Sequence, residues 1–172
     1  TGKTTLAMAL SQALGEPWAA EYGRELTEAR GGADRLVFDD LLAIGREQAA
    51  REDAMLAQAK RWLICDTTPL TTLHYSLAMF GRADPELLAL ADRAYDLTLL
   101  CAPDIGFAED GWRADPAFRE EQQRWLEREL AARSTRFHRI TGDLPQRLAQ
   151  ALAFIRGHEK GRRISPPARF NT

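Results

Sequence analysis

The chain has 172 residues, 45% of them hydrophobic, which suffices for one core and matches the size of one domain. Its formal net charge of -2, with both signs mixed along the sequence, offers none of the clustered basic surface that nucleic-acid binding needs, so no nucleic-acid partner is expected. No run approaches the roughly 20 apolar residues that cross a bilayer, and no charged-then-apolar leader stands at the start, so no membrane partner and a cytoplasmic location are expected.

Taken in chain order, apolar Leu6, Met8, Leu10 and Leu14 among alanines predict a helix over Lys3–Leu14, stopped by Gly15 and Pro17. Residues 18–20 read as a short buried strand that delivers Glu21, Tyr22, Arg24 and Glu25 at its exit, and Gly31 with Gly32 marks a turn. A long helix is expected over residues 34–60, with Asp34 as N-cap and a break near Gly45. Residues 61–67 are an apolar run that closes on Asp66, and Pro69 suits the first turn of a helix toward Phe80. Residues 84–94 predict a further helix, Leu97–Cys101 a strand, 104–115 a loop, 116–133 a charged helix, 137–141 a strand and 144–155 a last helix. Continuously apolar strands between helices indicate an α/β fold in three layers, a parallel sheet covered on both faces. The domain is expected to span residues 1–156, followed by a basic, loosely ordered tail over 157–172.

Thr1-Gly2-Lys3-Thr4-Thr5, followed directly by a helix, matches the closing half of the phosphate-loop motif GxxxxGK(S/T). In that motif backbone amides at a helix N-terminus approach the phosphates, the lysine reaches the β- and γ-phosphates, and the first hydroxyl ligates Mg²⁺. Thr1, Gly2, Lys3, Thr4 and Thr5 are therefore the candidate ATP-binding residues, with Thr4 and Asp66 as the metal pair. The first strand of the sheet, with the opening glycine of the loop, is expected upstream of residue 1. Arg113, Arg119 and Arg124 flank the expected loop and helix late in the chain, where a helical lid would close over the phosphates. The fold expected is thus a P-loop kinase fold, with MgATP as phosphoryl donor.

Several motifs in order carry a more specific likeness: EYGRE at 21–25, Ile44 to Gln48, DTTPLTT at 66–72, YDLTLL at 95–100, PDIGFAEDGWR at 103–113, and Ile140 to Arg147. With these the chain resembles the ribosylnicotinamide kinase domain of bacterial NadR-type proteins. The resemblance implies transfer of the ATP γ-phosphate to the 5′-hydroxyl of nicotinamide riboside, in NAD salvage. It implies Lys3, Glu21, Asp66 and Arg113 as the catalytic group, Glu21 either accepting the hydroxyl proton or holding the ribose and Arg24 orienting Glu21 or the γ-phosphate. The substrate-binding set it implies is Glu21, Tyr22, Arg24, Gln48, Phe107, Asp110, Trp112 and Arg113. Arg119, Gly142 and Asp143 join the ATP-binding residues. Two departures stand out: Gly106-Phe107 replaces the family's Pro-Trp, which either weakens ring stacking or moves it to Phe107 or Trp112, and Thr68 replaces the second carboxylate of the family's DTD.

Plainer readings exist for the same residues. Asp66 suits helix capping, Glu21 and Arg24 suit an ion pair, and Arg119 and Arg124 lie among Glu120, Glu121, Glu127 and Glu129. A GTPase would need an NKxD element, yet the only asparagine is Asn171. A kinase of another small acceptor and an ATP-hydrolysing regulatory module remain as alternatives.

Overall fold

The computed structural model describes residues 1–104, 116–161 and 168–171. The elements run α1 (Lys3–Leu14), β1 (Trp18–Ala19), α2 (Tyr22–Arg30), a 3₁₀ turn (Ala33–Arg35), α3 (Phe38–Leu56), β2 (Trp62–Cys65), α4 (Pro69–Phe80) and α5 (Pro85–Ala91). They continue with β3 (Leu97–Cys101), α6 (Pro116–Ala132), β4 (Phe137–Ile140), α7 (Leu144–Gly161) and β5 (Ala168–Asn171). Among the described residues all the strand pairs are parallel, in the order β1-β2-β5-β3-β4.

The two-residue alternation of the strands separates two cores. Trp62, Ile64, Leu97, Leu99 and Cys101 face α1 and α7, packing on Leu6, Leu10, Ala151 and Ile155. Leu63 and Cys65 point the other way, with Met55 and Leu56 of α3 beside them, and Leu100 joins the core that α3, α4, α5 and α6 build around Leu41, Leu73, Leu87 and Leu130. The chain therefore has the expected three-layer α/β architecture of a P-loop kinase fold.

Four local expectations change. Glu21 leaves the strand only to start a helix, α2, because Tyr22 and Leu26 pack on the α3–α4 core and Arg51 of α3 pairs with Glu25. The long helix begins at Phe38 and not at Asp34: the Asp40 carboxylate accepts the Val37 N–H at 2.9 Å, and Asp34 lies in the 3₁₀ turn. Gly45 does not break α3. A Cβ there would sit 2.6 Å from Leu87 Cδ1, so glycine permits the close approach of α3 and α5. Finally, α7 extends to Gly161, and Ala168–Asn171, in the segment expected to be a tail, forms the central strand. It pairs with β2 over residues 62–65 and with β3 at Leu97 and Thr98, supplying backbone partners between two buried strands.

Candidate functional site: a phosphate loop beside a cleft

Gly2 stands at the N-cap of α1 with φ 70°, a left-handed conformation that glycine adopts without a Cβ penalty. The turn it makes leaves the N-terminal amides of α1 as an anion-binding end. Lys3 Nζ donates to Thr1 Oγ1 at 3.1 Å, which folds the ammonium back along the loop. The loop is held by Arg147, 0% exposed, whose guanidinium donates to Thr1 O (2.6 Å), Gly142 O (2.7 Å) and Ala102 O (2.9 Å) and pairs with Asp104. Asp104 in turn accepts the Gly142 N–H at 2.8 Å. Gly142 thus lies beside the phosphate loop, with Asp143 next to it capping α7 by accepting the Gln146 N–H at 3.0 Å. In the sequence Arg147 is only the last residue of a motif, and its tethering role depends on partners far along the chain. One long-range clamp of this kind leaves no signal in local spacing.

Asp66 follows β2, its backbone N–H bonded to Ala19 O at 2.9 Å. Its side chain is 0% exposed and neither carboxylate oxygen completes a hydrogen bond. Burial pushes its pKa above the ordinary carboxylate value, while the Thr4 hydroxyl, Lys3 and Arg24 act in the opposite direction and Glu21 adds to the rise. Five of the expected residues, Lys3, Thr4, Glu21, Arg24 and Asp66, therefore share one electrostatic neighbourhood. The capping reading of Asp66 fails, because the N-cap of α4 is Thr68 with Pro69 at the first helical position. Between them Thr67 takes φ 67°, a left-handed conformation unusual for a β-branched residue and found where surroundings impose it.

Beside this cluster opens a cleft of about 770 Å³, counted out to its mouth. Leu36, Leu41, Ile44, Tyr75 and Met79 give it apolar walls. Glu21, Arg24, Gln48, Thr67, Thr71 and Thr72 supply its polar groups. The threonines and Tyr75 were not singled out from sequence, although positions 68, 71, 72 and 75 fall on one face of a helix. Tyr22, expected to bind substrate, is not a wall of this cleft: its ring lies under the Arg51 guanidinium, 4.7 Å from the centroid. A second cavity on the β3 and α6 side is lined by Thr1, Lys3, Thr68, Thr71 and Arg119, and Thr71 borders both spaces. Arg119 therefore shares a cavity with Lys3, whereas Arg124 is exposed on α6 and lines neither space. α6 is held against α4 by Gln122 Nε2, which donates to His74 Nδ1 at 3.2 Å, with Phe118 and Trp125 around the imidazole. Gly106, Phe107, Asp110, Trp112 and Arg113 lie outside the described residues, and so does the loop of the expected lid.

Among the described residues no group of three or more His, Cys, Asp or Glu can hold a metal by itself. A bare carboxylate next to a helix-terminal hydroxyl fits a different case, a divalent cation that arrives with phosphate oxygens and keeps several waters. Asp66 and Thr4 have that chemistry, and the lysine beside them suits phosphate. No described helix is long and apolar enough to cross a membrane.

The fold is similar to that of a NadR protein crystallised in complex with NR, with a TM-score of 0.80 and 25% identity, covering 95% of this chain and 50% of that one. A NadR protein in complex with NAD and AMP-PNP is similar at a TM-score of 0.70 and 22% identity, over 96% of this chain and 48% of that one. The chain thus spans about half the length of these relatives. Among curated proteins no sequence matches. The model of an AAA domain matches residues 1–147, from the phosphate loop to the arginine that tethers it, and the chain belongs to that family.

Proposed function

We propose that this domain transfers the γ-phosphoryl group of ATP to the 5′-hydroxyl of nicotinamide riboside or a closely related nucleoside. The observation that carries the reading is Asp66: a fully buried carboxylate with no hydrogen-bond partner, set between the Thr4 hydroxyl and a cleft that presents Glu21 and Arg24. A folded protein keeps such a group where a ligand completes it. The 25% identity to a NadR protein that binds NR adds support for the acceptor.

In this reading the α1 amides and Lys3 hold the β- and γ-phosphates, and Thr4 and Asp66 hold Mg²⁺. Mg²⁺ held there would supply positive charge to offset the charge that develops during transfer. Glu21 accepts the proton of the attacking hydroxyl, and Arg24 orients Glu21 or the γ-phosphate. Arg119, in the cavity that holds Lys3, supplies further positive charge on the phosphate side. The apolar walls of the cleft take the base, and its threonines and carboxamide face the sugar.

ADP release with MgATP, measured against a panel of acceptors, tests the proposal. Strong stimulation by nicotinamide riboside is expected. Stimulation by a nucleoside monophosphate instead reassigns the acceptor, and equal slow release with every acceptor identifies an ATP-hydrolysing module.

A further inference from the structure

Two successive side chains of α4, His74 and Tyr75, both reach α6. His74 is 5% exposed, and its Nδ1 accepts the hydrogen bond from Gln122 Nε2 at 3.2 Å. A carboxamide nitrogen only donates, so Nδ1 is the unprotonated ring nitrogen. Burial, opposed by Glu121, lowers the imidazole pKa and keeps the ring neutral, as that bond requires. Tyr75 lines the cleft and stacks its ring on Phe118 of α6, with centroids 5.8 Å apart and planes 26° from parallel. Phe118 and Gln122 stand one turn apart on α6, and Arg119, which shares the second cavity with Lys3, lies between them. The helix that walls the cleft thus grips α6 on either side of its phosphate-side arginine. Ring contacts tolerate a range of offsets, whereas a buried hydrogen bond holds only near one distance and angle, so the bond from Gln122 to His74 fixes the turn that carries Arg119.

We infer that His74 is a positioning residue: by holding Gln122 it sets where Arg119 stands relative to Lys3, and so ties the helix that walls the cleft to the positive charge on the phosphate side. This rests on the phosphate-side reading of Arg119 given above. His74 lines neither cavity, so it acts only through α6. Preorganised charge favours phosphoryl transfer only from the right place, and a displacement of about 1 Å can cost about a hundredfold in rate. A ring between Phe118 and Trp125 would fill the same space as phenylalanine, and the nitrogen is what packing alone does not call for.

The test is a double-mutant cycle on turnover, with His74→Phe, Arg119→Ala and the pair. His74→Phe keeps a ring in the cluster and removes the acceptor for the Gln122 N–H. Its turnover at saturating MgATP and acceptor is expected to fall by about tenfold or more, with KM for the acceptor little changed because the cleft walls are intact. In the Arg119→Ala background the same substitution is expected to have no further effect, since the group it positions is gone. A histidine that serves packing alone predicts losses that multiply in the pair. Gln122→Leu removes the same bond from the other side and is expected to reproduce both results, which keeps the cycle readable if the His74 variant fails to fold. Wild-type turnover in His74→Phe or Gln122→Leu, or losses that multiply with Arg119→Ala, overturn the inference while the phosphate-side reading of Arg119 stands. Wild-type turnover in Arg119→Ala overturns that reading, and the inference falls with it. Turnover is read with whichever acceptor stimulates ADP release, so an error in the acceptor's identity does not enter the cycle.

Discussion

Glu52 and Asp66 are buried to the same depth, both at 0% exposure, yet the protein surrounds them in opposite ways. Glu52, on α3, accepts the Tyr95 hydroxyl with both oxygens, at 3.1 and 2.9 Å, and faces the Arg93 guanidinium at 3.4 Å, which is itself anchored by Asp53. Asp66 is left bare. The first carboxylate is a structural brace whose bonding capacity is used within the fold, whereas the second is a charge kept unpaired beside a helix N-terminus and a lysine. Burial depth alone does not separate a brace from a binding group. The partners do, because an unsatisfied buried charge is costly and persists where something else completes it.

The sharpest way to break this comparison is Asp66→Asn. Phosphoryl transfer is expected to fall by about 10²- to 10³-fold or more, read as turnover at saturating MgATP and acceptor. The ligand-free variant should melt no lower than wild type, because it removes an unpaired charge. The pH dependence has a definite sign. With the folded-state pKa of Asp66 raised above its unfolded value, its favourable contribution is complete below the ordinary carboxylate range and is lost as pH rises through the folded-state value. The melting advantage of Asp66→Asn should therefore be largest near neutral pH and shrink on acidification. A variant that melts lower than wild type at neutral pH would place Asp66 with the braces.

Glu52→Ala probes the other member. It leaves the Tyr95 hydroxyl without this acceptor and Arg93 with Asp53 but no buried carboxylate, and a loss of about 3–5 kcal/mol of unfolding free energy in urea is expected, as for breaking a buried pair. Turnover of the remaining folded protein should stay near wild type. Tyr95→Phe, which removes one donor only, should cost about 1–3 kcal/mol.

Arg147→Lys sharpens the contrast, since Arg147 is bonded as fully as Glu52 but holds the phosphate loop. A lysine cannot reproduce its fork to Thr1 O, Ala102 O and Gly142 O, so KM for ATP is expected to rise by about tenfold with kcat changed less. The smallest effect on stability belongs to Thr67→Gly. Relief of the left-handed backbone and loss of the side chain should cancel to within about 1 kcal/mol, while turnover drops because the hydroxyl leaves the cleft wall. Steady-state kinetics alongside a melting curve separates the two quantities.

Much of this was legible in the residues themselves. An apolar run closing on Asp66, a glycine-lysine-threonine turn ahead of a helix, and short apolar strands between helices each carry their physics locally. Other parts were not. α2 has nine residues, four of them charged, and only Thr27 buried, so nothing in its own composition holds it; it is a helix because it docks on α3. β5 reads as part of a Pro- and Gly-rich tail, and it is a strand because β2 and β3 each present a row of backbone groups to the place it fills. Tyr22 sits in a motif full of site residues, yet its ring turned toward Arg51.

By itself, then, the order of residues determined the kinds of element, their alternation and the chemistry stored at strand ends, since helix and strand periodicity, turn residues and the phosphate loop are properties of a few neighbouring positions. Only the tertiary structure decided which polar groups are spent and which are held open: that Glu52 finds Tyr95, that Gln48 uses one end of its carboxamide on Tyr22, that Arg147 grips Thr1, and that Asp66 stands beside Thr4 and Lys3 without an ion pair of its own. Such pairings join residues tens of positions apart, and hydrogen bonds at that range become readable when packing brings the partners within 3 Å of one another.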